Sequence, residues 1–176
     1  MQRNELIDTL LKMDEEAQLV LGEPMPKPQV VIVGGAAFML HDITPRKFTY
    51  DIDVYEVDES VSQILSQYPE VNGAVMAYTD QIPYNFEDRL SKLSIGSKTI
   101  DFVTPSIEDL IVMKLYAERP NDVQDIDGAA KAECFDWNLL EKLVYGKNEA
   151  AASALSETRY KEMTEAYERM KARCGR

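Results

Sequence analysis

Two aspartates interrupt an apolar run, and that fact constrains this chain more than any other. In Tyr50–Val57, YDIDVYEV, the apolar residues alternate with polar ones at a period of two, the pattern of a half-buried strand. On a strand, residues i and i+2 point to the same face. Asp51 and Asp53 are therefore expected to share a face with Tyr55, with Ile52 and Val54 packed in a core on the other side. Carboxylates on one face at about 7 Å along a strand repel each other. A divalent cation removes that repulsion, and hard cations such as Mg²⁺ are held by one or two carboxylates plus substrate phosphates. A solvated strand face is the simpler reading of any isolated D-x-D.

The neighbouring segments favour the cation. Val30–Val33 reads as a short apolar strand, Gly34 and Gly35 turn the chain, and AAFMLHDI reads as a helix. A strand, two glycines and a helix bring backbone N–H groups close to a phosphate, although two adjacent glycines are often only a tight turn. A third acid, Asp101, sits inside the apolar run KTIDFV between Ile100 and Phe102. Three carboxylates on neighbouring strands beside a glycine turn would make a two-metal site for phosphoryl transfer, with Asp101 the ligand or base nearest the acceptor.

The rest of the chain reads as helix, then α/β, then helices. Residues 3 to 21 keep helical spacing, and a proline-rich connector, GEPMPKPQ, follows. Thr44–Thr49 is expected to be a loop, Glu59 to Pro69 a helix, and Gly73–Thr79 a strand. A hairpin is expected from strands 89–95 and 98–103 around Gly96 and Ser97. Ser106 with Asp109 resembles a capping box, opening a helical region that ends in a long helix, 148–173. These spacings predict an α/β (α+β) fold, a small mixed sheet flanked by helices with a helical C-terminal half. The organisation is 1–29 as N-terminal helix and connector, 30–105 as α/β core, and 106–176 as helices packed on it.

Composition narrows the function. The 176 residues have an apolar fraction of 45%, enough for a sizeable core, and a net charge of -12. That charge argues against a protein that coats duplex DNA. Arg46, Lys47, Arg89, Lys92 and Lys98 could form a local basic rim, although a solvated hairpin face explains the last three more simply. His41 and two distant cysteines leave a zinc site almost without ligands. No run approaches the ~20 apolar residues that cross a bilayer, so no membrane role is expected. With no secretory leader apparent, a cytoplasmic location is expected.

VIVGGAAFML, followed by DIDVYEV and later TIDFV, resembles the polymerase-β-like nucleotidyltransferase superfamily. PSIEDLIVMKLYAERPNDVQDI is similar to a segment of its minimal, AbiEii-like branch, through Lys114, Leu115, Ala117, Arg119, Asp122 and Asp125. RKFTYDID resembles the run R-x-T-x-D-I-D of these proteins through Arg46 and Thr49. The resemblance spans roughly residues 28 to 145 and implies a nucleotidyltransferase core. It implies that Gly34 and Gly35 hold triphosphate, that Asp51, Asp53 and Asp101 hold Mg²⁺ (or Mn²⁺) and carry catalysis, and that Lys114, Arg46 and Thr49 contact nucleotide. The implied reaction moves NMP from an NTP to a hydroxyl of RNA, such as tRNA, or of a protein, with a cognate toxin or antitoxin as a partner. Arg119 and Asp122 read more simply as a pair locking two helices. Ala36 stands where many members carry Ser or Thr, which keeps open a catalytically inactive binding module acting through protein partners and the C-terminal helix.

Overall fold

The computed structural model describes residues 1–73, 81–146 and 156–176. Its centre is β1 (Gln29–Val33), whose Val30, Val31, Ile32 and Val33 are all buried. Burial on both faces suits a continuous apolar run rather than an alternating one. β1 pairs antiparallel with β2 (Ile52–Val57) on one side and parallel with β5 (Asp101–Thr104) on the other. β3 (Val71–Asn72) extends β2 and β4 (Ser91–Lys92) extends β5, giving a mixed five-stranded sheet in the order β3-β2-β1-β5-β4.

Helices cover the sheet. α1 (Arg3–Leu21) buries Leu6, Leu10, Met13 and Ala17. α2 (Gly34–Leu40) packs on β1 and β2 and also meets α1, α4 (Ile107–Leu115) and α5 (Pro120–Ala129). α3 (Glu59–Leu65) packs on α1. α6 (Trp137–Tyr145) and α7 (Glu157–Arg173) complete the helical half against α4. Ser106 caps α4 by accepting from the Asp109 amide at 3.1 Å, as its spacing predicts. No helix among the described residues is long and apolar enough to cross a membrane.

The expected alternation in β2 holds, with Ile52 and Val54 in the core and Asp51, Asp53 and Tyr55 half-buried. The pairing slips by one residue, from Val31 opposite Glu56 to Ile32 opposite Val54. This bulge leaves Tyr55 as the extra residue and sets Asp53 opposite Val33, immediately before the glycines.

The hairpin is shorter than its sequence suggests. Ser91 and Lys92 pair with Thr104 and Val103, whereas residues 94–100 lie outside the strands. The reason is Asp14. This buried carboxylate of α1 accepts the amides of Lys98, Thr99 and Ile100 at 2.7, 2.8 and 2.7 Å. Those N–H groups are satisfied by a side chain and have no need of a ladder. Asp14→Ala would leave three donors without their acceptor, those of Thr99 and Ile100 buried, at a cost of about 3 kcal/mol. The expected result is a lower denaturant midpoint and fast hydrogen exchange at Lys98, Thr99 and Ile100. The strand expected at Gly73–Thr79 and the start of the helix at 148 fall largely outside the described residues.

Candidate functional site

The site lies where β1 ends, α2 begins and β2 enters the sheet. Gly34 opens α2 with φ +66, and a Cβ there would meet Asp53 Oδ2 at 2.2 Å. A Cβ on Gly35 would meet Arg46 Nη1 at 2.7 Å and come within 3.6 Å of Thr49 Oγ1. The diglycine thus has a clear local reason. It admits the Asp53 carboxylate and the Arg46 guanidinium against the start of the helix, a left-handed backbone being needed at the first position.

Asp53 accepts a hydrogen bond from Asn72 Nδ2 at 2.9 Å. Its carboxyl is pushed above the ordinary carboxylate range, first by burial and then by Asp51. The bond from Asn72 and the charges of Lys114 and Arg119 oppose that shift. The ionised form of Asp53 is therefore disfavoured where it stands, buried and beside the Asp51 charge. This donor set fits one hard cation that takes its remaining ligands from phosphate and water. Among the described residues no group of three or more His, Cys, Asp or Glu side chains is placed to hold a metal.

The structure does not bring Asp101 to the other two acids. Asp53 lies opposite Val33 at the end of β1, while Asp101 lies opposite Gln29 at its start. Four residues of strand separate these levels, about 13 Å at the usual rise. Asp101 instead pairs with Lys92 on β4. The expected triad is corrected to a pair, Asp51 and Asp53.

The cations that were expected to meet phosphate are held by carboxylates. Lys114 is buried, with Nζ 2.7 Å from Asp122 Oδ1 and 2.9 Å from Asp125 Oδ2. Arg46 forms a fork on Asp125, Nε to Oδ1 at 3.1 Å and Nη2 to Oδ2 at 2.6 Å. Arg119 Nε donates to Asp122 Oδ2 at 2.8 Å, so these two pair, but both stand at the start of α5 and the pair locks no second helix; it is Lys114 that ties Asp122 to α4. Burial works against ionisation of Asp122, but the bonds from Lys114 and Arg119 hold its carboxyl below its ordinary value. Arg46, Asp125, Lys114, Asp122 and Arg119 form one continuous ionic chain beside the Asp51–Asp53 pair. Thr49 is buried and donates to the Asp51 carbonyl at 3.1 Å, fixing the turn into β2.

The basic rim is not assembled as a rim. Arg89 grips Asp109 at the start of α4, at 2.9 and 2.7 Å, and Lys92 is occupied by Asp101. His41 bonds Thr104 Oγ1, and burial lowers its pKa. Sequence reasoning missed Asn72, because its partnership with Asp53 depends on the parallel β2–β3 register. It also missed the grip of Asp125 on Arg46, which links residues 79 apart in the chain.

Nothing matches the chain among curated proteins. Nothing matches it among solved structures. A family model does match, over residues 8–174 and so nearly the whole chain. The Gly-Gly turn and the paired aspartates thus sit in a chain that belongs to the family described as nucleotidyltransferase of unknown function (DUF6036).

Proposed function

We propose that this protein transfers NMP from an NTP to a hydroxyl, whose oxygen bonds the α-phosphorus and loses its proton as the α–β bond breaks and pyrophosphate leaves, with Mg²⁺ held by Asp51 and Asp53. One observation supports the reading: of two half-buried carboxylates two residues apart, Asp53 is disfavoured as an anion by burial and by Asp51 and is set against the start of α2. A bound Mg²⁺ would neutralise charge on the phosphates and on the two carboxylates. The chain's own part is to hold the acids, through Asn72 and the Gly34 contact, and to present cationic charge from Lys114 and Arg119 behind them. Asp101 has no role in this proposal. A pairing with a cognate toxin or antitoxin, implied by the resemblance, belongs to the same proposal.

The test is transfer of label from α-labelled NTPs, with Mg²⁺, to bulk RNA or to protein. Transfer that needs Mg²⁺ and disappears in Asp51→Asn is the expected result. Absence of transfer with every NTP and acceptor, together with no heat on titrating Mg·NTP, would overturn the reading.

A second reading has its own observation. Lys114 is committed to two aspartates, and Asp101 is at the far end of β1. A nucleotidyltransferase fold kept as a binding module would look like this. Heat on NTP titration without transfer to any acceptor would favour it.

A further inference from the structure

We propose that the segment Arg46–Tyr50 is a docking track for the end of a single-stranded nucleic acid, which would supply the acceptor hydroxyl. The inference rests on the transferase reading above, and it concerns a surface that reading does not use.

The segment is RKFTY, two cations followed by two aromatics that flank a threonine. Phe48 is 50% and Tyr50 86% exposed, with their rings edge-to-face at 5.1 Å. The two rings pack on each other and so form one exposed aromatic patch. Tyr50 directly precedes Asp51. Between the rings, Thr49 is buried and its amide donates to the Met1 carbonyl at 2.9 Å, while the Met1 ammonium donates to the Thr49 carbonyl. The rings are therefore carried on a backbone fixed at its middle residue, a pre-organised surface rather than a loose loop.

The first two residues of the segment, Arg46 and Lys47, line a cavity of about 480 Å³ together with Arg3, Asn4, Asp42 and Thr44. Asp125 neutralises Arg46, and Asp42 contributes a negative charge to the rim. Arg3 is different. Its guanidinium is held by the Met39 and Leu40 carbonyls at 3.0 and 3.2 Å, which orient it without cancelling its charge. Lys47 is exposed. A groove with positive charge for the backbone, next to aromatic faces for the bases, is how proteins hold single strands without reading sequence. Duplex DNA offers no unstacked base to such rings. In a protein of net charge -12, this local positive patch belongs to the segment that leads directly into the paired acids.

The test is fluorescence anisotropy of a labelled oligouridylate at low salt, with neither NTP nor metal present. Calorimetric titration of Mg·NTP is run separately on the same preparations. Wild type is expected to bind the strand. Phe48→Ala and Tyr50→Ala should each weaken it by roughly tenfold, the usual loss for one base–aromatic stack. Lys47→Ala should reduce the salt dependence of log affinity by about one phosphate contact. These three side chains are exposed, so an unchanged circular dichroism melt is expected. No strand binding by wild type, or the same affinity in the Phe48→Ala/Tyr50→Ala double variant, would overturn the inference. If Mg·NTP heat persists in that case, transfer stands with a protein hydroxyl as acceptor. If strand binding depends on the rings but no NTP binds, the track is supported and the transfer reading falls.

Discussion

Asp53→Asn is expected to abolish nucleotidyl transfer while making the protein more stable. The two effects have one cause. Burial and the Asp51 charge raise the Asp53 carboxyl above its ordinary range, so the ionised form is disfavoured in the folded state. The sign follows from that direction. A carboxyl raised on folding favours the fold while it is protonated, and this contribution is lost as pH rises through the folded value. At neutral pH the ionised Asp53 therefore costs stability, and a neutral amide of the same shape removes the cost. The bond from Asn72 at 2.9 Å can persist to the amide oxygen. The expected rise in Tm is about 2–4 °C for each kcal/mol relieved. Transfer moves the other way. If Asp53 holds Mg²⁺ as proposed, its loss removes several kcal/mol of charge stabilisation, a fall of roughly a thousandfold or more. Differential scanning calorimetry with and without Mg²⁺ checks both halves. Mg²⁺ should raise the Tm of wild type and leave that of Asp53→Asn unchanged. A variant that is both less stable and equally responsive to Mg²⁺ would show that Asp53 is an ordinary structural acid.

How far this was legible in the sequence can be judged residue by residue. The period of two around Ile52 and Val54 showed which face of β2 is apolar, because a buried face leaves no other arrangement. The helical spacing of α1 and the Ser106 cap were equally local signals. Asp101 failed for a non-local reason. Its alternation within KTIDFV correctly marks a strand flanked by buried Ile100 and Phe102. Nothing in that segment says which end of β5 lies against which end of β1. The parallel register sets that, and it moves the acid by the length of the central strand. Asn72 and the bulge at Tyr55 are of the same kind, consequences of pairing rather than of composition. Lys114 was found, but its partners were not, since whether a lysine faces phosphate or two aspartates depends on how α4 crosses α5.

Asp125→Ala is expected to be the most destabilising single substitution in the ionic chain, at about 3–5 kcal/mol, the usual cost of removing one partner from a buried pair. Asp125 is fully buried and receives Arg46 through two bonds, Lys114 at 2.9 Å and the Thr44 hydroxyl. Removing it leaves one guanidinium and one hydroxyl without their acceptor and Lys114 with Asp122 alone. The loop bearing Thr44 and Arg46 also presses on α5 through Gly128, where a Cβ would meet Pro45 Cδ at 2.7 Å and the Ile43 carbonyl at 2.8 Å. The damage should therefore spread along the chain. Hydrogen exchange is expected to quicken across residues 44–50 as well as in α5, while β5 keeps its protection. Asp125→Asn, which keeps an acceptor for Arg46 but not the charge, should fall between the variant and wild type. A double-mutant cycle with Arg46→Met isolates the pair, with a coupling of about 1–3 kcal/mol expected for residues in direct contact. A coupling near zero would mean that the Met1–Thr49 bonds hold the loop by themselves. The guanidinium over Gly35 would then be free to turn toward a phosphate without cost to the fold.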